Sequence, residues 1–255
     1  MIRGCLLDLS GVLYVGDSPI PSAATALAKL QGLGIPVRYI TNTSRSPRAR
    51  IAERLRAMGF EIDGADIITA PIAVRAEIEK RSLRPFLLIH PDLESEFTGL
   101  RQEPPNAVVV GDAGEYFTYE RMNRAFRLLM DGAPLLAVGT NRYFREAAGL
   151  SLDVGPFVAA LEFATGTQAE VFGKPSATLF HSACAAIGCE PGEVVMVGDD
   201  LESDVLGALG AGLQAILVRT GKFRPADASQ LVDGAVLLDD ISAAVDWVAE
   251  RACQL

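Results

Sequence analysis

Short apolar runs alternate along this chain with amphipathic stretches of about ten residues, and most of the runs end in small or charged residues. Cys5-Leu6-Leu7 reads as a strand buried on both faces, stopped by Asp8 and followed at Gly11 by a place where the chain can turn sharply. Ser22 is placed to cap a helix through about residue 33. Gly34 ends that helix, and residues 35–40 read as a second strand tipped by Thr41, Asn42, Thr43 and Ser44. Ser46 and Pro47 suit the N-cap and first position of a helix through about residue 58. From about residue 71 the alternation restarts, with helices over 71–80 and 119–130, strands over 85–90, 108–110 and 135–138, a loop over 140–143 and a helix after Pro156. A strand over 169–172 leads through Gly173-Lys174-Pro175-Ser176 to a helix ending near 187. Residues 194–197 are the cleanest buried strand and end in Gly198-Asp199-Asp200, with Asp204 at the start of a helix. A strand over 215–218 and a helix over 241–253, with Trp247 on its packing face, complete the pattern.

Strands alternating with helices predict an α/β protein built on an open parallel sheet. The second block of alternation predicts an α/β domain at residues 71–172 inserted into a core made of 1–70 and 173–255. In such sheets ligands bind outside the carboxyl ends of the strands, which directs attention to the strand tips. Each tip has a bland and a chemical reading. Asp8 either caps a turn or sits where a reacting group should sit. Thr41 and Asn42 either make an ordinary loop or face an anion with a hydroxyl and backbone N–H groups. Gly111-Asp112 is either another active strand end or a turn on the inserted domain, the reading preferred here. Lys174 is either an idle surface lysine or the partner of an anion near a helix start. Asp199, Asp200 and Asp204 repel one another, so they are either widely solvated or hold a hard divalent ion.

Charge and composition narrow the classes further. The 255 residues carry a net charge of −9 with no basic stripe, which argues against nucleic acid as a partner. Cys5, Cys184, Cys189 and Cys253 form neither a CxxC pair nor a disulfide framework, as expected of reduced cysteines in a cytoplasmic protein. His90 and His181 lack zinc-type ligand spacing. No signal-type apolar segment opens the chain and no apolar run reaches transmembrane length, so no membrane association is expected. The glycine fingerprint of dinucleotide binding does not follow the first strand, which excludes a dehydrogenase of that type.

Taken together and in this order, Asp8-Leu9-Ser10-Gly11-Val12-Leu13, Ile40-Thr41-Asn42, Gly173-Lys174-Pro175 and Gly198-Asp199-Asp200 resemble the four motifs of the haloacid dehalogenase-like hydrolase superfamily. Segments 84–90, 152–156 and 219–225 look like the phospholysine phosphohistidine inorganic pyrophosphate phosphatase group within it. The resemblance implies a Rossmann-like parallel-sheet core with an inserted α/β cap domain, and a Mg2+-dependent phosphatase acting on P–N or P–O–P bonds. It implies Asp8 as nucleophile and Lys174 as the charge that neutralises phosphoryl oxygens. Asp8, Leu9, Ser10, Thr41, Asn42 and Lys174 would contact substrate. Asp8, Asp199 and the backbone carbonyl of Ser10 would hold the metal, with Asp204 and Asp200 arranging its surroundings. The implied partner is a small phosphorylated substrate, and a homodimer is allowed. One departure stands out: most phosphatases of the superfamily carry a second Asp where this chain has Ser10, as does the group it resembles. Without that general acid and base, substrates whose leaving groups need little protonation are favoured. A small-metabolite phosphomonoesterase and a weakly active phosphate-binding regulatory protein are the alternatives.

Overall fold

The computed structural model describes residues 1–146 and 149–252. Two compact units divide the chain: Met1–Thr41 with Ala49–Ile68 and Lys174–Leu255, and Asn42–Arg48 with Thr69–Gly173. The main sheet has six strands in the order Ala235–Leu238, Gln214–Val218, Val194–Gly198, Gly4–Asp8, Val37–Thr41, Ile67–Thr69. Gly4–Asp8 lies at its centre, parallel to both neighbours. From there the chain first builds outward on one side and, later, on the other. The order therefore reverses beside Gly4–Asp8, and such a switch point opens a crevice at the carboxyl ends of the strands.

Central strands of a sheet covered on both faces must be apolar throughout, and Gly4–Asp8 and Val194–Gly198 are buried at every residue. Alternation sends Cys5, Leu7, Val195, Val197, Ile216 and Val218 into one core. Two helices close that core with the same spacing. Ala23, Ala26, Leu27 and Leu30 are the buried positions of Ala23–Gly32, and Ile241, Ala244, Val245 and Val248 those of Ile241–Arg251. Trp247 packs against this core and lies under the Arg251 guanidinium, as expected of a packing face. Cys5 and Cys184 are buried free thiols, which burial pushes up to about 12 and about 11, so both stay protonated at neutral pH. Cys253 lies outside the described residues.

The second unit has its own parallel sheet, ordered Glu170–Val171, Leu135–Ala137, Ala107–Val110, Pro85–Leu88. The helices Ala70–Lys80, Tyr119–Met130 and Gly155–Thr165 alternate with its strands in the chain. Asp112, after Ala107–Val110, is buried against Arg45 at 2.5 Å and accepts the Gly114 N–H at 3.1 Å. It is thus a turn residue held by an ion pair. No helix among the described residues is long and apolar enough to cross a membrane.

Several elements differ from the sequence reading. A small hairpin joins Tyr14–Val15 to Ser18–Pro19, and Ile67–Thr69 and Ala235–Leu238 are strands. The hairpin strands have two residues each, and Ile67–Thr69 and Ala235–Leu238 are the two edges of the main sheet, paired on one side only. Part of the expected loop at 140–143 belongs to an antiparallel hairpin, Tyr143–Glu146 with Gly149–Leu152. Ser22 does not cap its helix; its hydroxyl donates to Asp240 at 2.8 Å instead. Asp204 lies in the first turn of a helical segment, as expected, but that turn, Leu201–Leu206, is π-helical.

Candidate active site

Strand register places the site. Leu7 pairs with Val197 and Asp8 with Ile40, so Asp8, Thr41 and Asp199 emerge together at the carboxyl edge of the sheet. Lys174, 166 residues from Asp8 in sequence, donates to Asp8 Oδ1 at 2.7 Å. Its ammonium also lies 2.7 Å from Asp204 Oδ1, and all three residues are buried. One oxygen from each of Asp8, Asp199 and Asp204 lies within 4.8 Å of the others, and this is the one such grouping of His, Cys, Asp or Glu among the described residues.

Electrostatics sort the three C-terminal carboxylates. Asp200 is the N-cap of the π-helical turn: its Oδ1 accepts the N–H groups of Glu202 and Ser203, and Lys222 Nζ lies 3.2 Å from its Oδ2. Burial works against its charge, but the Ser203 N–H and the Lys222 ammonium outweigh it and keep the carboxyl below its ordinary range. Asp199 is different. Burial and then the Asp8 charge push it up to about 6, against the Lys222 N–H that its Oδ2 accepts at 2.7 Å. Burial also raises Asp204, although Lys174 opposes it. Burial alone would depress Lys174, but Asp204 and Asp8 hold it above its ordinary range. The site therefore holds more negative charge than its lysine balances.

Other expected residues fall as follows. Thr41 is buried at its strand end, and Ser10 is exposed. Leu9 has its side chain fully buried in the apolar core, which leaves its backbone to meet a ligand. Asn42 opens the second unit. Sequence reading notes segment 219–225 but assigns no site role to the turn at 220–222. Thr220 Oγ1 donates to the Gly11 carbonyl, and methyl groups on Gly11 or Gly221 would overlap Asp199 Oδ2. The signal that could have found it is a polar tip after an apolar strand, as at Asp8 and Thr41.

Residues 5–101 match the family described as haloacid dehalogenase-like hydrolase, and residues 171–244 one described as HAD-hydrolase-like. "Haloacid dehalogenase-like hydrolase domain-containing protein 2" of Bos taurus is 45% identical over 230 residues, covering 90% of this chain and 89% of that protein. The chain belongs to the haloacid dehalogenase-like hydrolase family. Among further members, "phospholysine phosphohistidine inorganic pyrophosphate phosphatase" of Homo sapiens is 44% identical over 98% of this chain and 96% of its own length. Among solved structures of the family, a 4-nitrophenylphosphatase from Thermotoga maritima superposes with a TM-score of 0.87 at 27% identity, covering 96% of this chain and 97% of its own.

A hard divalent cation fits this haloacid dehalogenase-like site. The donors are carboxylate oxygens, and Asp199 Oδ1 is buried with no hydrogen-bond partner among the described residues. Because Asp199 is raised to about 6 in the folded chain, the native state binds its proton more tightly than the unfolded chain does. Stability from that proton is full at low pH and is lost as pH rises through about 6. A cation competes for the same oxygens, with the opposite pH dependence. Adding Mg2+ is expected to raise the melting temperature clearly at pH 8 and little at pH 5. Calorimetric scans with and without Mg2+ check this, and an equal shift at both pH values would contradict it.

Proposed function

We propose that this chain is a Mg2+-dependent phosphatase that works through an aspartyl-phosphate on Asp8 and hydrolyses P–N or P–O–P bonds, as in phospholysine, phosphohistidine and inorganic pyrophosphate. The observation that carries the reading is the buried lysine bridging two carboxylates: Lys174 holds Asp8 at 2.7 Å and Asp204 at 2.7 Å, with Asp199 beside them. Asp8 attacks phosphorus, the bond to the leaving group breaks, and the leaving group takes its electron pair. Water then attacks the acyl phosphate, releasing inorganic phosphate and restoring the carboxylate. Lys174 orients Asp8 and offsets charge on the phosphoryl oxygens, and Thr41 with the Asn42 that follows it supplies a hydroxyl and an N–H to hold them in line. Mg2+, held by Asp8, Asp199 and the Ser10 carbonyl with Asp204 and Asp200 beside it, would supply the counter-charge that lets one anion approach another. Residues 71–172 would form a cap that selects what enters, with 1–70 and 173–255 as the catalytic core.

Ser10 supports the choice of bond. A side chain that cannot act as an acid suits pyrophosphate, whose leaving group is weakly basic, and phosphoramidates, whose nitrogen can be protonated before cleavage. The phospholysine phosphohistidine inorganic pyrophosphate phosphatase relatives support the same class. A phosphomonoesterase is the second reading, favoured by structural neighbours named as p-nitrophenyl phosphatases. Phosphate release by the purified chain with Mg2+, measured on phospholysine, phosphohistidine, pyrophosphate and alkyl phosphates, separates the two. The P–N or P–O–P substrates are expected to lead in kcat/KM by at least about tenfold, and the reverse order would favour the second reading.

Installing the missing acid gives a sharper expectation. Ser10→Asp should raise kcat/KM on alkyl phosphates by about 10–100-fold, since a positioned acid typically contributes about 10²–10⁴-fold. Turnover of pyrophosphate should change by less than about threefold. A parallel Mg2+ titration shows whether the added carboxylate disturbs the metal. Equal changes on both substrate classes at unchanged Mg2+ affinity would remove Ser10 as the reason for the preference.

A further inference from the structure

The turn after Gln214–Val218 touches two parts of the site at once. Thr220 Oγ1 donates to the carbonyl of Gly11, in the loop that begins at Asp8. That loop is tight: Gly11 N–H reaches Tyr14 O at 2.7 Å, and Leu13 N–H reaches Leu9 O at 2.9 Å. Fixing the Gly11 carbonyl therefore fixes the backbone that carries Asp8. Two residues later in the same turn, Lys222 N–H donates to Asp199 Oδ2 at 2.7 Å.

Between those contacts lies Gly221, at φ +63°, where a side chain is strained whatever the space. There is also no space. A methyl group on Gly221 would overlap Asp199 Oδ2 and would stand 2.5 Å from Gly11 Cα. Gly11, at φ +87°, is packed as closely: a methyl group there would overlap the same oxygen. The Asp199 carboxylate is thus packed against two glycine backbones, with Oδ2 tied to an amide. Its other oxygen, Oδ1, is left buried without a hydrogen-bond partner among the described residues, in the grouping shared with Asp8 and Asp204.

We propose that Thr220-Gly221-Lys222 is a positioning clasp: Thr220 and Gly221 set the backbone of the Asp8 loop and the rotation of Asp199 together, so that Asp199 Oδ1 faces the cation site. This rests on the metal assignment made above for Asp8 and Asp199. Thr220 acts through the backbone of the Asp8 loop and Gly221 through the Asp199 carboxylate. The Thr220 contact is carried by a hydroxyl alone, so Thr220→Val keeps the shape and removes the bond, while Thr220→Ser keeps the bond. Gly221→Ala drives a methyl group into Asp199.

The test is metal binding by the full-length chain, read by electron paramagnetic resonance of free Mn2+ and by calorimetric titration with Mg2+, without substrate. Partners that orient metal ligands typically contribute about 10–100-fold in affinity. Thr220→Val is expected to weaken Mn2+ binding about tenfold, Thr220→Ser to restore it to within about twofold, and Gly221→Ala to weaken it about a hundredfold. Circular dichroism of the metal-free variants reports whether the fold is retained. Should Gly221→Ala fail to fold, the Val and Ser pair at 220 still decides, because a merely structural hydroxyl would change melting without changing Mn2+ affinity. Asp199→Asn is the benchmark. If it loses affinity while Thr220→Val keeps the parent value, the clasp is overturned and the metal assignment stands. If Asp199→Asn binds Mn2+ like the parent, the metal assignment falls and takes the clasp with it.

Discussion

Asp8→Asn is expected to abolish phosphate release, by about four orders of magnitude or more, in a protein that folds and melts like the parent. The amide is nearly isosteric and can still meet Lys174, but its oxygen is a poor nucleophile, and loss of an attacking group typically costs about 10⁴–10⁶ in kcat. The variant should also fail to take up label from a substrate carrying a radioactive phosphoryl group, whereas parent protein quenched in acid should retain it. Turnover within tenfold of the parent in a folded Asp8→Asn sample would remove the covalent route. The side chain is almost fully buried at the end of the central strand, so no neighbouring residue can move in to replace it without breaking the sheet register.

Lys174→Met is the second large effect, and it acts on stability as well as on activity. Lys174 is 5% exposed and is the cation shared by Asp8 and Asp204. Removing one partner of a buried ionic cluster leaves charge uncompensated and typically costs about 3–5 kcal/mol. For a chain of this size that is about 10 °C in melting temperature. The sign of the pH dependence follows from Asp204, which burial already raises above its ordinary range. Without the lysine its proton is held more tightly still, so lowering the pH neutralises the uncompensated charge. The melting deficit of the variant should be largest near pH 8 and shrink towards pH 5. Thermal scans across that range check it, and a deficit that is constant with pH would mean that the ammonium serves packing rather than charge.

The amino-acid sequence by itself determined the strands that matter most. Residues 4–8, 37–41, 194–198 and 214–218 are central or near-central in a sheet covered on both faces, and that burial writes a nearly continuous apolar run into the chain. Where such a run stops at a polar residue the stop is visible, and so Asp8, Thr41 and Asp199 are legible as strand-tip residues from the pattern of the chain alone. The strands Ile67–Thr69 and Ala235–Leu238 escape that reading; they are the two edges of the sheet and each pairs on one side only. Nor can spacing tell Asp199, Asp200 and Asp204 apart. All three are carboxylates within six positions, and only the π-helical turn decides that Asp200 caps backbone N–H groups while Asp204 faces Lys174. The contact of Thr220 with Gly11 joins residues 209 positions apart, and the grip of Gly221 on Asp199 depends on one backbone passing close to another. Periodicity is a local property of the chain. Which of its polar tips share charge, and which glycine must stay bare, is settled only when distant segments are brought within a few ångströms.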